Sequence, residues 1–430
     1  MYTKVLDVVR NSSLIKTSGV YTMSSFINAS IPFLLLPILT NHLSNSDFGI
    51  ISMFTGITGL MMPFIGINLE GAIARMYYKD STKIDIYVGT CLGIGFFGFL
   101  FTTVLIFLCR GQLSKFSGIS DLWVCLTPLF CFCQYVSLVL ITLFQMELKP
   151  IKYGVFQITQ SLFNFILTTF LIMAMAMKWE GRLISIVCSA ALYFVIALIV
   201  LTRTGRVKFI INYEYIRHAL NFGLGLIPHS LGASLMVITN RFFLLKMVNI
   251  EEVGFFSLAS QIASILSFFT ISFNNAYVPW LYQKLNNHSE FSRIKIVKNT
   301  YLYFLAISVF GFIFFSCCPL FFKYFIGMKF SSSNKYLVWL VIGFVFQGMY
   351  FMVVNYSSYV EKTSYQAFVT IFVGMLNIPL NYFLIREFNA IGSGMAFAGS
   401  FFLWFLFTWI LSSRLYPMPW FKLFSGYKKI

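Results

Sequence analysis

The chain has 430 residues, of which 58% are hydrophobic, 19% aromatic and only 10% charged, with a formal net charge of +17. Soluble domains average roughly 25% charged residues, so a water-soluble globular domain is excluded. Nucleic acid is excluded as a partner too, because the cations are scattered at the ends of apolar runs and form no basic block able to track a duplex.

About twelve long apolar stretches follow one another, and they predict spans over residues 14–40, 48–70, 84–108, 121–144, 151–177, 183–202, 216–245, 253–282, 297–322, 335–357, 364–385 and 391–413. A hydrocarbon core about 30 Å thick needs roughly 20 residues of helix to cross it. Only helices and closed barrels satisfy their backbone polar groups there. Runs such as Leu183–Leu201 and Phe304–Phe315 are apolar on every face, whereas barrel strands alternate over about ten residues. The expected fold is an all-α integral membrane protein. Leu14–Leu39 is too long for a signal-peptide core and no small-residue cleavage site follows it, so no cleaved leader is expected.

With the N-terminus inside, roughly two thirds of the Lys and Arg residues fall in connections on the inner side, which predicts both termini in the cytoplasm. Lys178, Arg182, Arg241 and Lys246 are among the minority on the outer side. The longest polar stretches lie near 203–215 and 283–296. The first divides the chain into a six-helix N-terminal lobe (1–205), a six-helix C-terminal lobe (206–415) and a cytoplasmic tail (416–430). An internal repeat agrees: NSDFGIISM (45–53) and IEEVGFFSL (250–258) match at an offset of 205, and the same offset pairs ARMYYK (74–79) with PWLYQK (279–284). Six spans per half keep the copies in one orientation. The lobes are therefore expected to be related by a parallel pseudo-two-fold, with the substrate site between them.

Catalytic constellations are absent. There is no phosphate-cradling G-x-x-x-x-G-K-[ST] loop and no paired carboxylate inside an apolar run, and the eight cysteines lie almost wholly within apolar runs, without a CxxC pair. No enzyme activity, metal or cofactor is expected. The functional reading rests on polar residues in the spans, since a charge in lipid costs several kcal/mol unless it faces a cavity or a partner. Arg75, Lys16 and Arg241 are candidate substrate-binding cations, with interfacial anchoring as the plainer role of each. Asn240 and Gln261, like Asn28, Gln157, Gln160 and Asn164, offer hydrogen bonds to sugar hydroxyls or between helices. Segment 7 holds Gly223, Gly225, Pro228 and Gly232, and segment 1 holds Gly19, Pro32 and Pro37 in the matching place. A kink or unwound stretch is expected there, with Gly225, Pro228 and Pro32 as gating positions. His229, beside that kink, is a candidate for proton coupling or for capping a freed carbonyl.

LPILTNHLSNSDFGIISMFTGI (36–57), GAIARMYYK (71–79), QMELKPIKYGVFQITQSL (145–162), LIPHSLGASLMVITNRFFL (226–244), EEVGFFSLASQIA (251–263) and LNIPLNYFLIREFNAIGSGMA (376–396) together resemble the polysaccharide flippases. More narrowly, they resemble the O-antigen flippase (Wzx) group of the multidrug/oligosaccharidyl-lipid/polysaccharide exporter superfamily. The resemblance implies a V-shaped pair of six-helix lobes around a cationic cavity. It also implies alternating-access transfer of an undecaprenyl-diphosphate-linked oligosaccharide across the bacterial inner membrane, with membrane lipids and polysaccharide polymerase or chain-length proteins as partners. Many relatives have Asp before the segment 7 arginine, and here Asn240 stands there. A lipid II flippase shares the fold and the anionic headgroup. A cation exporter would want buried carboxylates in its spans, of which this chain has almost none, and a membrane polymerase a long periplasmic loop, which it lacks.

Overall fold

The structure, a computed structural model, describes residues 13–286, 290–326, 328–360 and 362–420. Lys16 lies in the first helix, but its side chain, like most of the tail, is outside the described residues. Among the described residues there are fourteen α-helices and no strand. Twelve spans among the described residues are long and apolar enough to cross a membrane. The internal contacts divide the chain into two compact units, Met1–Ile227 and Pro228–Ile430.

Unit 1 holds α1 (Ser13–His42), α2 (Asn45–Gly66), α3 (Leu69–Lys79), α4 (Ile84–Ser117), α5 (Asp121–Met146), α6 (Pro150–Thr169), α7 (Trp179–Arg203) and the first turns of α8 (Tyr213–Met247). Within it α1 packs on α6, while α5 packs against α2, α4 and α7. Tyr135 of α5 is fully buried between α2 and α4, where a Cβ at Gly95 would come within 2.2 Å of its ring and one at Gly66 within 2.9 Å. Its hydroxyl donates to the Cys91 carbonyl at 2.9 Å, so the polar end of this ring is satisfied inside an apolar core. On the opposite side of α4, Phe97, Phe101 and Leu108 are exposed, as lipid-facing side chains are.

Unit 2 continues α8 and adds α9 (Ile250–Ala263), α10 (Ile265–Leu285), α11 (Glu290–Phe325), α12 (Asn334–Tyr359), α13 (Thr363–Phe388) and α14 (Ile391–Leu415). Here α14 packs on α12 and α13. A buried polar seam joins α8, α13 and α14. Asn377 Nδ2 donates to the Met236 carbonyl at 3.1 Å, Asn381 Nδ2 to Asn377 Oδ1 at 2.7 Å, and Ser400 to Asn377 Oδ1 at 2.9 Å. Of the two asparagines of LNIPLN, Asn377 thus makes the interhelical hydrogen bonds, and Asn381 steadies its amide from one turn along the same helix.

The repeated motif has a local cause. Ser44 and Asn249 are the N-caps of α2 and α9, accepting from the backbone N–H of Asp47 (3.2 Å) and Glu252 (2.9 Å). The aligned acidic residue sits in the first turn in both, where it complements the positive helix end.

Two expectations of the helix paths are corrected. The predicted span 48–70 is broken after Gly66 by Ile67 and Asn68, both left-handed with φ of 47° and 51°. The predicted span 253–282 holds as one membrane span, Ile250–Leu285, built from two helices that meet at Ser264. Conversely α8 and α1 run as unbroken helices through Pro228 and through Pro32 and Pro37, with no unwound stretch. A proline lacks one N–H and its ring crowds the carbonyl four residues back, which bends a helix without having to unwind it. The glycines of α8 serve close approach instead. A Cβ at Gly223 would lie 2.2 Å from the Ile67 carbonyl oxygen and one at Gly232 2.5 Å from that of Thr370, whereas Gly225 faces open space.

Candidate functional site

Within an apolar span, α6 carries Gln157, Gln160, Ser161, Asn164 and Thr168 at three- and four-residue spacing, so they share one face. A π-helical turn at Phe170–Ala174 follows, and then Ala176 with φ of 52° reverses the chain into α7. The tight return brings Arg182, in the first turn of α7, back onto that polar face. Its Nη1 donates to Asn164 Oδ1 at 2.6 Å and to Thr168 Oγ1 at 2.8 Å. Thr168 and Ser185 are fully buried, and their hydroxyls lie 2.6 Å apart, with Ser185 donating to the Arg182 carbonyl. Asn164 Nδ2 donates to the Ser185 carbonyl at 3.1 Å. The amide is thereby fixed with its oxygen toward the guanidinium.

These groups open onto a cavity of about 440 Å³ between α1, α5, α6 and α7. Asn28 and Pro32 line it from α1, Gln134 from α5, and Gln157 and Gln160 from α6. Ser161 donates to Asn28 Oδ1, tying α6 to α1 across the cavity edge. No carboxylate lines it, and among the described residues Arg182 has no ion-pair partner. The site is one cation among uncharged amides and hydroxyls, all carried by spanning helices. It can orient several hydroxyls and offset one negative charge, with guanidinium N–H groups left for an oxyanion. Four amide side chains here were singled out from the sequence. Arg182 was not, because its place near a helix end counts it as an outer-face anchor; the signal was the polar stripe on α6, which needs a counterpart.

The other predicted residues lie elsewhere. Arg75 is exposed on α3, with no ion pair among the described residues. Arg241 is half-buried in α8 of unit 2. Asn240 is fully buried and donates to the Met236 carbonyl at 2.7 Å, while its own carbonyl accepts from Ser393, so it sits inside the packing of α8 on α14. Gln261 is half-buried near the end of α9. His229 Nδ1 lies 3.0 Å from Thr370 Oγ1. Of these positions only Pro32 lines the unit 1 cavity. Among the described residues no cluster of His, Cys, Asp or Glu is arranged to hold a metal.

Comparison with known proteins agrees with this architecture. A Haemophilus influenzae protein described as an uncharacterized membrane protein is 27% identical over 374 residues, covering 85% of this chain and 88% of its own. Lsg locus putative protein 1 of the same organism is 21% identical over 362 residues, covering 81% and 85%. Among solved structures, an inward-facing multidrug resistance MATE family transporter of the MOP superfamily superposes with a TM-score of 0.70 at 14% identity, covering 90% of this chain and 95% of that one. The lipid II flippase MurJ, in an inward closed conformation, superposes with a TM-score of 0.69 at 13% identity, covering 93% and 87%. The chain therefore shares the fold of these two transporters. The family profile described as polysaccharide biosynthesis protein matches residues 14–284, and the chain is a member of that family.

Proposed function

We propose that this protein is a flippase that moves a lipid-linked oligosaccharide, an O-antigen repeat unit on undecaprenyl diphosphate, across the bacterial inner membrane by alternating access. The observation that carries this reading is the cavity at Arg182, where a single guanidinium stands among amides and hydroxyls with no carboxylate. A glycan offers many hydroxyls and its carrier a negative charge, neither of which can enter hydrocarbon without replacement hydrogen bonds. A cationic drug would find no counter-charge here. Arg75, Lys16 and Arg241 are the candidates for offsetting the diphosphate, with a fork of donors favouring arginine. Polymerase and chain-length proteins are the partners this role implies. Lipid II is the second reading, favoured by the likeness to MurJ.

The test is Arg182→Ala in a strain whose only copy of the gene is the variant. Surface polysaccharide should fall at least about tenfold, since a charge-assisted hydrogen bond is worth roughly 1.5–3 kcal/mol. The lipid-linked unit should accumulate while the membrane content of the protein stays unchanged. Arg182→Lys should restore part of the export, because it keeps the charge and loses the fork. Normal export by the alanine variant would remove the cavity from the transport path. Lysis with accumulated lipid II would assign the chain to the second reading.

A further inference from the structure

A second cavity, of about 620 Å³, lies at the opposite end of the same helices, where α5 ends, α6 begins and α7 ends. The chain turns from α5 into α6 through Leu148 in the left-handed region (φ 53°), and the Lys149 N–H donates to the Phe144 carbonyl at 2.9 Å. That turn sets Lys149 and Lys152 over the end of α5, facing Arg203 and Arg206 from the end of α7. One carboxylate answers these four cations. Glu147, whose side chain is 6% exposed, pairs with Lys149 at 2.6 Å and Arg206 at 2.5 Å. Lys152 and Arg203 have no acceptor among the described residues, and the cluster keeps a net charge of +3. The wall beneath is apolar, formed by Leu140, Leu143, Phe144 and Ile199.

Scattered anchoring cations need no such wall. A cationic rim over an apolar floor, at the ends of three spanning helices, matches a phosphate that is joined to a hydrocarbon chain. We propose that this pocket binds the phosphate of an anionic membrane phospholipid, with Lys152 and Arg203 on the phosphate, Glu147 positioning Lys149 and Arg206, and the chain along Leu143 and Ile199. The cation bias assigns this end to the cytoplasmic leaflet, where anionic lipid makes each nearby Lys or Arg worth about 1 kcal/mol. The site is separate from the Arg182 cavity and does not rest on the transport reading.

The full chain, purified with phosphatidylglycerol or with phosphatidylcholine, is to be examined by native mass spectrometry for retained lipid. Phosphatidylglycerol should be retained and phosphatidylcholine lost. The double variant Lys152→Ala with Arg203→Ala, in exposed positions that leave the core untouched, should weaken phosphatidylglycerol retention about thirtyfold. Inorganic phosphate at matched ionic strength should not displace the lipid, because it cannot use the apolar wall. Equal retention of the two lipids, equal retention by parent and double variant, or displacement by free phosphate each overturns the proposal. Farnesyl diphosphate separates the two sources of a lipid-borne phosphate. If it displaces phosphatidylglycerol from the parent and fails to bind the double variant, the pocket belongs to an isoprenyl carrier and not to a phospholipid.

Discussion

At His229 a count of protons decides which nitrogen is free. The Thr370 hydroxyl has one proton and two lone pairs. It donates to the Gln366 carbonyl at 3.0 Å and accepts from Trp404 Nε1 at 3.1 Å. One lone pair remains, so His229 Nδ1, 3.0 Å away, carries the proton and donates to it. Nε2 is then the nitrogen that gains or loses a proton, and it can do so without disturbing the bond to Thr370. This arrangement suits coupling to a proton gradient, and it equally suits a plain helix-to-helix bond. His229→Gln separates the two, since glutamine retains an amide donor for Thr370 and has no charge change. In reconstituted vesicles the parent should flip faster when a pH gradient is imposed, and the Gln variant should transport without that response. An undiminished gradient response in the variant would make His229 structural. The position of this residue on a span was legible in the sequence; its partners, 141 residues along the chain at Thr370, were not, because hydrogen bonds between helices leave no local pattern. Arg182 shows the same limit, as its charge was visible while the turn folding it onto Asn164 was not.

The helices themselves were readable, since uniform apolarity over about 20 residues has few other meanings. Their interruptions were harder. Prolines in α1 and α8 suggested a kink or an unwound stretch, and no stretch is unwound there; the break at Ile67–Asn68 follows directly on Gly66, inside a run read as one span. Such left-handed non-glycine residues cost on the order of 1 kcal/mol each, and tertiary packing rather than local sequence must hold them there. The α8 glycines mark packing contacts, and this gives a direct test. A side chain at Gly232 would meet the backbone of Thr370 and Ile371 at 2.5–2.6 Å, where no flexible atom can yield. Gly232→Val should therefore destabilise the protein by about 1–3 kcal/mol, the usual range for overpacking, and lower the thermal transition in detergent. Gly225→Ala, facing open space, should leave the transition unchanged or slightly raised, because alanine favours helix. Equal transitions for the parent and Gly232→Val would mean that α8 does not lie against α13 as described. The repeat was legible for a related reason: capping residues recur because both second spans need the same first-turn donors satisfied.

At the scale of the whole chain, the polar stretch 203–215 reads as a lobe boundary, whereas the contacts divide the chain at Ile227 and Pro228. The connection is tied to unit 1: the Lys208 N–H donates to the Asp85 carbonyl at 3.0 Å, its ammonium pairs with the Asp85 carboxylate at 2.6 Å, and its own carbonyl fills the space above Gly89. The first half of α8 then adds Tyr215, Ala219 and Phe222 to the unit 1 core. Polarity marks where a chain meets water; it does not mark which helices hold it. Orientation, by contrast, follows from parity and charge together. One spanning helix, α4, lies between residues 80 and 118, and three, α5 to α7, lie between 118 and 210. Three more spans, with α9 and α10 forming the second of them, lie between 210 and 330. Each interval is odd, so the sides must alternate, and the bias of Lys and Arg chooses which comes first. Reporter fusions after residues 80 and 210 should read cytoplasm, and fusions after 118 and 330 periplasm. A shared side for 80 and 118 would mean that α4 does not span. A periplasmic reading at 210 alongside a cytoplasmic one at 118 would invert the whole chain, and would carry Arg203, Arg206 and their phosphate pocket to the outer leaflet with it.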